Sequence, residues 1–252
     1  MNVFASELLK LRTIRVPYVL VAVTALASGL VAAALTGAGE LDGDHDDRAL
    51  ALAQGAGFWS LLATVLGVLV VTNEYRHGTI MTTFLAEPRR VRVLVAKLGV
   101  AALAGATVAV AALVVLAAVA LPWLALRGES LPLDGQALEA IARLVVAFAL
   151  ASALGAAVGA VIQSQVGTII IVFVWFLIVE SIITVVSSLL LGDFGERDPI
   201  TPYLPGTALG GIVGGGQGAE FMVRGGPSIL IALAYVAALG ALGALSMTRR
   251  DP

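Results

Sequence analysis

The chain alternates between long apolar runs and short polar connections. Six runs approach or exceed the roughly 20 apolar residues that a helix needs to cross the hydrocarbon core of a membrane. Backbone groups in lipid must be hydrogen-bonded within their own segment, and the runs lack the two-residue alternation of a barrel, so each run predicts a helix. The pattern therefore predicts an all-α integral membrane protein with six transmembrane helices, at residues 16–36, 57–72, 93–126, 141–162, 166–191 and 229–247.

Two stretches depart from this simple pattern. The third run is longer than one crossing needs, so we expect its helix to tilt, to project beyond the bilayer or to break near Pro122. The stretch 192–228 is rich in proline and glycine, which predicts an irregular or partly re-entrant external loop with short helical pieces. One interpretation is a loop that caps the outer end of a helix bundle, and the alternative is an outer gate.

Composition supports the membrane interpretation and removes several kinds of chemistry. Hydrophobic residues make up 59% of the 252 residues and charged residues 13%, with a mean hydropathy of +0.99, which is too apolar for a soluble domain of this length. Cysteine is absent, which excludes disulfides and thiolate metal sites. The two histidines, His45 and His77, lie in different segments, so the sequence predicts no metal site.

Basic residues near the ends of the runs predict the orientation. Lysine and arginine accumulate on the cytoplasmic side of membrane proteins, and here they cluster before the first run, between the second and third runs, and after the sixth. The opposite loops carry single basic residues among many acids. We therefore predict that both termini are cytoplasmic and that residues 1–15 form an amphipathic interfacial helix. The basic residues behind this prediction are Lys10, Arg12, Arg15, Arg76, Arg89, Arg90, Arg92, Lys97, Arg249 and Arg250.

The connection between the second and third runs, residues 74–90, carries the most informative pattern. Four apolar residues recur at helical spacing and share one side of a short helix, which a proline then ends or bends. Such a helix, fixed at both ends to membrane spans, can dock a soluble partner at the membrane surface. The alternative is that the neighbouring arginines only set the topology and bind anionic lipid headgroups. The apolar residues are Ile80, Met81, Phe84 and Leu85, and the proline is Pro88.

Glu74 lies at the end of the second run, next to this segment. Its carboxylate can accept charge-assisted hydrogen bonds from several basic residues and so tie the interfacial helices into one unit. Gly78, four residues later, permits a turn with positive φ or a close backbone approach. The candidate donors to Glu74 are Lys10, Arg12, Arg76 and Lys97.

Polar and small residues inside the runs are also informative. Glu180 is an ionisable residue deep in a predicted span, and the cost of such a residue predicts that it faces the bundle interior, at a translocation path or gate. A hydrogen bond to a neighbouring helix is the structural alternative. Trp175 and Phe176 are candidates to line the same path, although aromatic residues in spans more often pack or face lipid. Gly155 and Gly159 predict close helix packing, including at a seam between subunits.

Taken together, these features resemble the membrane subunits, or permeases, of type-two ATP-binding-cassette (ABC) exporters. The resemblance covers essentially the whole chain, but topology of this kind is shared by many unrelated membrane proteins. Its most specific part is the Glu-x-x-x-Gly-Thr motif with the downstream proline and basic residues. The matching positions are Glu7 and Lys10 in the interfacial helix, then Glu74, Gly78, Thr79, Pro88, Arg90 and Lys97.

This resemblance implies a set of partners. A separate ATPase subunit, present in two copies, would bind ATP and Mg²⁺, and a second permease subunit would complete the transporter. The segment 74–90 would be a coupling helix that sits in a groove of the ATPase. Residues implied to take part in this coupling, by the motif or by their place beside it, are Glu74, Arg76, Gly78, Thr79, Ile80, Met81, Phe84, Leu85, Pro88, Arg90 and Lys97.

The implied function is export of a hydrophobic or amphipathic substrate, such as a drug, lipid, peptide or natural product, across a bacterial cytoplasmic membrane. The chain has no Gly-x-x-x-x-Gly-Lys-Ser/Thr phosphate loop and no nucleophile paired with a base in a span, so we do not expect it to be an enzyme, to hold a cofactor or to bind nucleic acid. Two alternatives stay open. One is a membrane immunity or assembly protein that binds a partner without transport, and the other is a proton-coupled carrier that uses Glu180.

Overall fold

The computed structural model describes residues 3–13, 15–37, 45–128, 134–191, 200–214 and 225–249. Within these ranges all regular secondary structure is helical, which confirms the predicted all-α class. A π-helical turn (Trp175–Val179) joins α8 to α9, and a 3₁₀ turn (Thr201–Tyr203) precedes α10. The helices are α1 (Val3–Thr13), α2 (Val16–Gly37), α3 (His45–Gly57), α4 (Ser60–Arg76), α5 (Ile80–Ala86), α6 (Arg90–Leu126), α7 (Gly135–Ile162), α8 (Gln165–Val174), α9 (Glu180–Leu191), α10 (Pro205–Val213) and α11 (Gly226–Arg249).

Five helical segments in the described part of the chain are long and apolar enough to cross a membrane. They are α2, α6, α7, the continuous stretch from α8 into α9, and α11. Helices α3 and α4 supply a sixth only if they count as one span, because they are bent by 40° at the break between them. The predicted span at 57–72 is therefore not one straight helix. The fold is compatible with a multi-pass membrane protein.

The bend between α3 and α4 has a local cause. The amide of Trp59 donates to the carbonyl of Ala56 at 3.1 Å, and the amide of Leu62 donates to the carbonyl of Trp59 at 2.9 Å. These hydrogen bonds span three residues and not four, so the backbone tightens here and the helix axis changes direction. Gly57, just before the break, also weakens the helix.

Helix α6 shows what the long third run does. It has 37 residues, which corresponds to about 55 Å at 1.5 Å per residue, well beyond the core of a bilayer. The helix does not break at Pro122 but continues to Leu126. Pro122 has no amide hydrogen to donate to the carbonyl of Ala118, and α6 ends about one turn after it.

The predicted external loop, 192–228, contains ordered helical pieces. The 3₁₀ turn and α10 lie within it, and α11 begins before its predicted end. Residues 192–199 and 215–224 of that loop lie outside the described residues. The predicted interfacial helix, 1–15, corresponds to α1 over its described part.

Helix α7 lies at the centre of the bundle and contacts α3, α4, α6, α10 and α11. Its contact with α4 is so close that side chains are excluded. A Cβ atom on Gly155 would lie 1.9 Å from the carbonyl oxygen of Thr64, and one on Gly67 would lie 1.7 Å from that of Ser152. Small residues permit such approaches between helices in a membrane. In this structure Gly155 and Gly159 therefore pack against α4 of the same chain.

The segment α8–α9 is peripheral in comparison. In an apolar stretch of 18 residues within this segment only 11% of the residues are buried, against 61% in the corresponding stretch of α7. Its first half packs on α4 and α7, whereas α9 contacts the 3₁₀ turn. Most of its apolar surface consequently faces away from the chain.

The helix ends form two distinct surfaces. We use the term basic end for the surface made by α1, the C-terminus of α4, α5, the N-terminus of α6 and the connection between α7 and α8. The opposite end carries α3, α10 and the 3₁₀ turn, and there the Gln54 side-chain amide donates to the carbonyl of Gly214 at 3.2 Å. The basic end is the end that the charge pattern predicts to be cytoplasmic.

Candidate functional site

Four charged side chains meet inside the basic end. The Lys97 Nζ atom lies 2.6 Å from Glu7 Oε2 and 3.0 Å from Glu74 Oε1. The Lys10 Nζ atom lies 2.6 Å from Glu7 Oε1 and 2.7 Å from Glu74 Oε1. Each lysine therefore bridges both glutamates. We call these four residues the charge cluster.

The charge cluster joins three helices across the chain. Glu7 comes from α1, Glu74 from the last turn of α4, and Lys97 from the start of α6. Lys97 is fully buried, and both glutamates are also buried. Buried charges are tolerated only when they are paired, and two lysines balance two glutamates here. Removing one partner would leave an uncompensated charge, so the three helices are held together at this point.

Helix α5 is attached to the same cluster through Thr83. Lys10 donates to the Thr83 hydroxyl oxygen at 3.2 Å, and that hydroxyl donates to Glu74 Oε2 at 3.2 Å. Partial burial acts to lower the pKa of Lys10, but hydrogen bonds to Glu7 and Glu74 outweigh it and raise the pKa. Lys10 consequently stays charged at physiological pH, and the link to α5 is maintained.

The Glu-x-x-x-Gly-Thr motif has a structural explanation. The amide of Thr79 donates to the carbonyl of Glu74 at 3.0 Å, and the amide of Gly78 donates to that of Tyr75 at 3.3 Å. These two bonds are those of a Schellman motif, which ends a helix with a left-handed residue. Gly78 is that residue, with φ of 67°. Gly78, four residues after Glu74, thus allows α4 to end and the chain to change direction before α5 begins.

The four apolar residues predicted to share one side of α5 differ in how far the rest of the chain covers them. Ile80 packs inward with 5% exposure, whereas Met81 and Leu85 project outward with 44% and 82% exposure. The reason is that Thr83 must face the charge cluster, which rotates the helix so that only part of its apolar stripe is covered. Phe84 is half-buried.

The exposed side of α5 continues into the connection before α6. Met81, Phe84, Leu85, Pro88 and Arg90 line a hollow of about 250 Å³. The Arg90 guanidinium lies 5.1 Å from the centre of the Phe84 ring and also donates to the carbonyl of Met247 in α11. The contact with Met247 fixes the connection to the last helix, so the hollow has one rigid wall.

Not all predicted partners of Glu74 are in the cluster. Lys10 and Lys97 are, but Arg76 instead donates to the side-chain oxygen of Gln165 at 3.2 Å, and Arg12 is exposed at the end of α1. Glu7 is a fourth member of the cluster that was not among the predicted partners of Glu74. The sequence does contain an indication that Glu7 is buried. It lies three residues after Phe4 and four before Leu11, which places an acid on the apolar side of α1.

A second polar site lies toward the opposite end, around Glu180. Glu180 Oε1 accepts hydrogen bonds from Trp175 Nε1 and from the amide of Gly206, both at 2.8 Å. The amide of Thr207 also donates to the carboxylate. Gly206 and Thr207 belong to the first turn of α10, whose amides have no partners within that helix. Glu180 therefore acts as an N-terminal cap for α10, supplied from 26 residues away.

The geometry around Glu180 leaves no space at Gly206. A Cβ atom there would lie 2.3 Å from Glu180 Oε2 and 3.0 Å from Phe176 Cδ1. Trp175 and Phe176 begin the π-helical turn, so the irregular backbone, the acid and both aromatic residues predicted at the path meet at one junction. This junction connects the peripheral α8–α9 segment to α10.

Fold and sites together define an all-helical chain with several apolar helices of membrane-spanning length, a buried charge cluster at one end and a carboxylate-capped helix toward the other. No model of a known protein family matches this chain, and no curated protein matches it either.

Proposed function

We propose that this chain is the permease subunit of an ATP-driven exporter in a bacterial cytoplasmic membrane, and that segment 74–90 couples it to a separate ATPase. The observation that carries this proposal is the charge cluster. It connects α5, which presents apolar side chains at the surface, to the short helix α1 and to α4 and α6, which extend into the bundle. A force applied to α5 would reach the spans through these contacts.

Transmission into the bundle has a defined route in this proposal. Glu74 lies at the end of α4, and α4 packs against α7 with backbone contacts at Gly67 and Gly155. Two backbones packed this closely cannot slide past each other without losing these contacts, so α4 and α7 move together in this proposal. Lys97 passes the same displacement to α6.

The docking surface is the exposed side of α5. Met81 and Leu85 are large apolar residues at an end of the bundle where the predicted surroundings are water and headgroups. Apolar side chains at such a place favour contact with a protein partner. A groove on the ATPase that accepts Leu85, with the hollow beside Phe84 receiving a side chain in return, fits this surface. The ATPase would supply the site for ATP and Mg²⁺.

The peripheral α8–α9 segment suits contact with a second permease subunit. Its apolar surface is largely uncovered, and it is fastened to α10 through Glu180. We place the translocation path for a hydrophobic or amphipathic substrate between two such subunits. Glu180, Trp175 and Phe176 would then lie beside the path or its outer gate.

Copurification tests the proposal. The tagged chain is expressed in its native host, extracted in mild detergent and captured, and a bound subunit is identified and assayed for ATP hydrolysis. Leu85→Asp should release that subunit, because a charge placed in a small apolar contact costs several kcal/mol. Ala86→Asp adds the same charge to another exposed position of α5, and this variant should still bind the subunit. If both variants retain the subunit equally, the exposed side of α5 is not the docking surface.

The same purified complex can be used to distinguish an exporter from a protein that binds a partner without transport. In reconstituted vesicles an exporter should show ATP hydrolysis that responds to amphipathic compounds and their movement across the bilayer. A chain that only binds a partner would show neither response, whatever subunit copurifies.

A further inference from the structure

The basic end contains a cavity of about 750 Å³ beside the charge cluster, and the coupling proposal assigns no ligand to it. It lies between α1, the start of α2, the end of α4, α5 and the start of α8. Its wall has two chemically different parts. One part is apolar and the other polar, and residues of α4 contribute to both. The apolar part is formed by Leu11, Val16, Pro17, Leu69 and Val70.

The two parts are arranged along the axis of α4. Leu69 and Val70 lie about two turns before Arg76, which corresponds to roughly 10 Å at 1.5 Å per residue. The part of the apolar wall that α4 supplies is therefore deeper in the bundle, and Arg76 lies at its end, with Gln165 and His77 also in the lining. A lipid in a bilayer has the same polarity, with its chains inside and its headgroup at the surface.

Charge in the cavity is not balanced at Arg76. The glutamates that border the cavity, Glu7 and Glu74, are already paired with two lysines. Arg76 is exposed, and its hydrogen-bond partner is the neutral side-chain oxygen of Gln165. Among the residues that the structure describes, the cavity therefore presents one guanidinium whose charge no carboxylate neutralises. Guanidinium groups bind phosphate with paired hydrogen bonds.

We propose that this cavity binds an acidic phospholipid of the leaflet at the basic end. Its phosphodiester contacts Arg76, and one acyl chain lies along Leu69 and Val70. The combination of an unbalanced guanidinium with an apolar wall selects a lipid with net negative charge over a zwitterionic one. This binding is a property of the chain alone, so it stands or falls independently of any ATPase partner.

Native mass spectrometry of the purified chain in neutral detergent tests the proposal. The probes are dioleoyl phosphatidylglycerol and dioleoyl phosphatidylcholine, which have the same acyl chains and differ in charge. The first phosphatidylglycerol should bind more tightly than phosphatidylcholine. Arg76→Gln should weaken the phosphatidylglycerol complex about fivefold, the factor that one basic residue near a headgroup contributes, and leave phosphatidylcholine unchanged.

Arg89→Gln is the matched control. Arg89 is also exposed at the basic end but does not line the cavity, so its loss removes the same charge without touching the site. Val70→Asp should weaken both lipids by placing a charge on the acyl wall. Equal losses in the Arg76 and Arg89 variants would show that binding is diffuse attraction, and would overturn the proposal. Displacement of phosphatidylglycerol by millimolar inorganic phosphate would also overturn it, because the site would then recognise the anion alone.

Discussion

Lys97 and Glu7 form a buried ion pair, with 2.6 Å between Nζ and Oε2, although 90 positions separate them in the chain. Helix α6 places Lys97 two turns after its first residue, at the basic end of the bundle. Apolar residues surround it along the helix, since Val93 and Leu94 just before it and Ala101 just after it are buried. The first turns of α6 therefore combine apolar packing with the ion pair that attaches α1.

Lys97→Met should destabilise the chain by about 3–5 kcal/mol, the usual cost of breaking a buried pair from one side. The methionine fills similar space but leaves Glu7 and Glu74 with only Lys10. We expect a lower thermal unfolding midpoint in detergent. Glu7→Gln combined with Lys97→Met should recover part of the loss, because Lys10 and Glu74 then balance each other.

Arg92→Met is the control for this prediction. Arg92 pairs with Glu87 at 3.0 Å on an exposed surface, where solvent screens the interaction and little stability depends on it. A Lys97→Met variant as stable as Arg92→Met would contradict the view that the charge cluster holds α1, α4 and α6 together.

Gly155→Ala should interfere with the central helix contact. The added Cβ atom would lie 1.9 Å from a backbone oxygen of α4, which cannot move aside as a side chain can. Overpacking of this kind typically costs about 1–3 kcal/mol. Gly135→Ala, on the same helix, meets nothing within 4 Å and should be neutral. Thermal unfolding of both variants decides the point, and equal midpoints would show that α4 and α7 are not in close contact.

The sequence was sufficient to predict the all-α class and the long helices α2, α6, α7 and α11, because run length and apolar composition are local properties. It also located the Glu74–Gly78 turn, since a left-handed residue at the end of a helix favours glycine wherever it occurs. The bend between α3 and α4 was missed. It arises from a shift in hydrogen-bond spacing near Trp59. No proline or charged residue lies at the break to indicate it in the sequence.

The sites were less predictable because they depend on contacts between distant segments. The pairing of Lys97 with Glu74 was one of several equal candidates, and nothing local selected it over Arg76. The cap that Glu180 provides to α10 required knowing that Gly206 folds back against the α8–α9 segment. The orientation of α5 likewise followed from Thr83 facing the cluster, which apolar spacing alone does not reveal.

The orientation of the chain can be tested by cysteine labelling, because the natural sequence has no cysteine. Single cysteines at Arg127 and Tyr203, on the opposite end, should react with an impermeant maleimide in intact cells. Cysteines at Arg89 and Arg92, on the basic end, should react only after permeabilisation. All four positions are exposed, so accessibility within the fold does not bias the comparison. Labelling of Arg89→Cys in intact cells would reverse the predicted topology.

Glu180 provides the sharpest test of the junction between the α8–α9 segment and α10. Its Oε1 atom accepts from both Trp175 and Gly206, so Glu180→Gln keeps the acceptor that matters most and should unfold near the wild-type temperature. Glu180→Leu removes the acceptor and leaves the Gly206 amide and the Trp175 indole without it. A fully buried donor left unsatisfied costs about 1–3 kcal/mol, and these two are part-buried, so we expect a loss toward the lower end of that range and a lower unfolding midpoint.

Gly206→Ala tests the same junction from α10. The new methyl group would displace the Glu180 carboxylate, which is flexible, and so break the cap without removing any charge. Its unfolding midpoint should fall with that of Glu180→Leu, and combining the two changes should add little, because both remove one contact. Gly226→Ala, at the start of α11, meets nothing within 4 Å and serves as the control. If the losses from Glu180→Leu and Gly206→Ala add in full, the two residues act independently, and Glu180 does not fasten α10 to the α8–α9 segment.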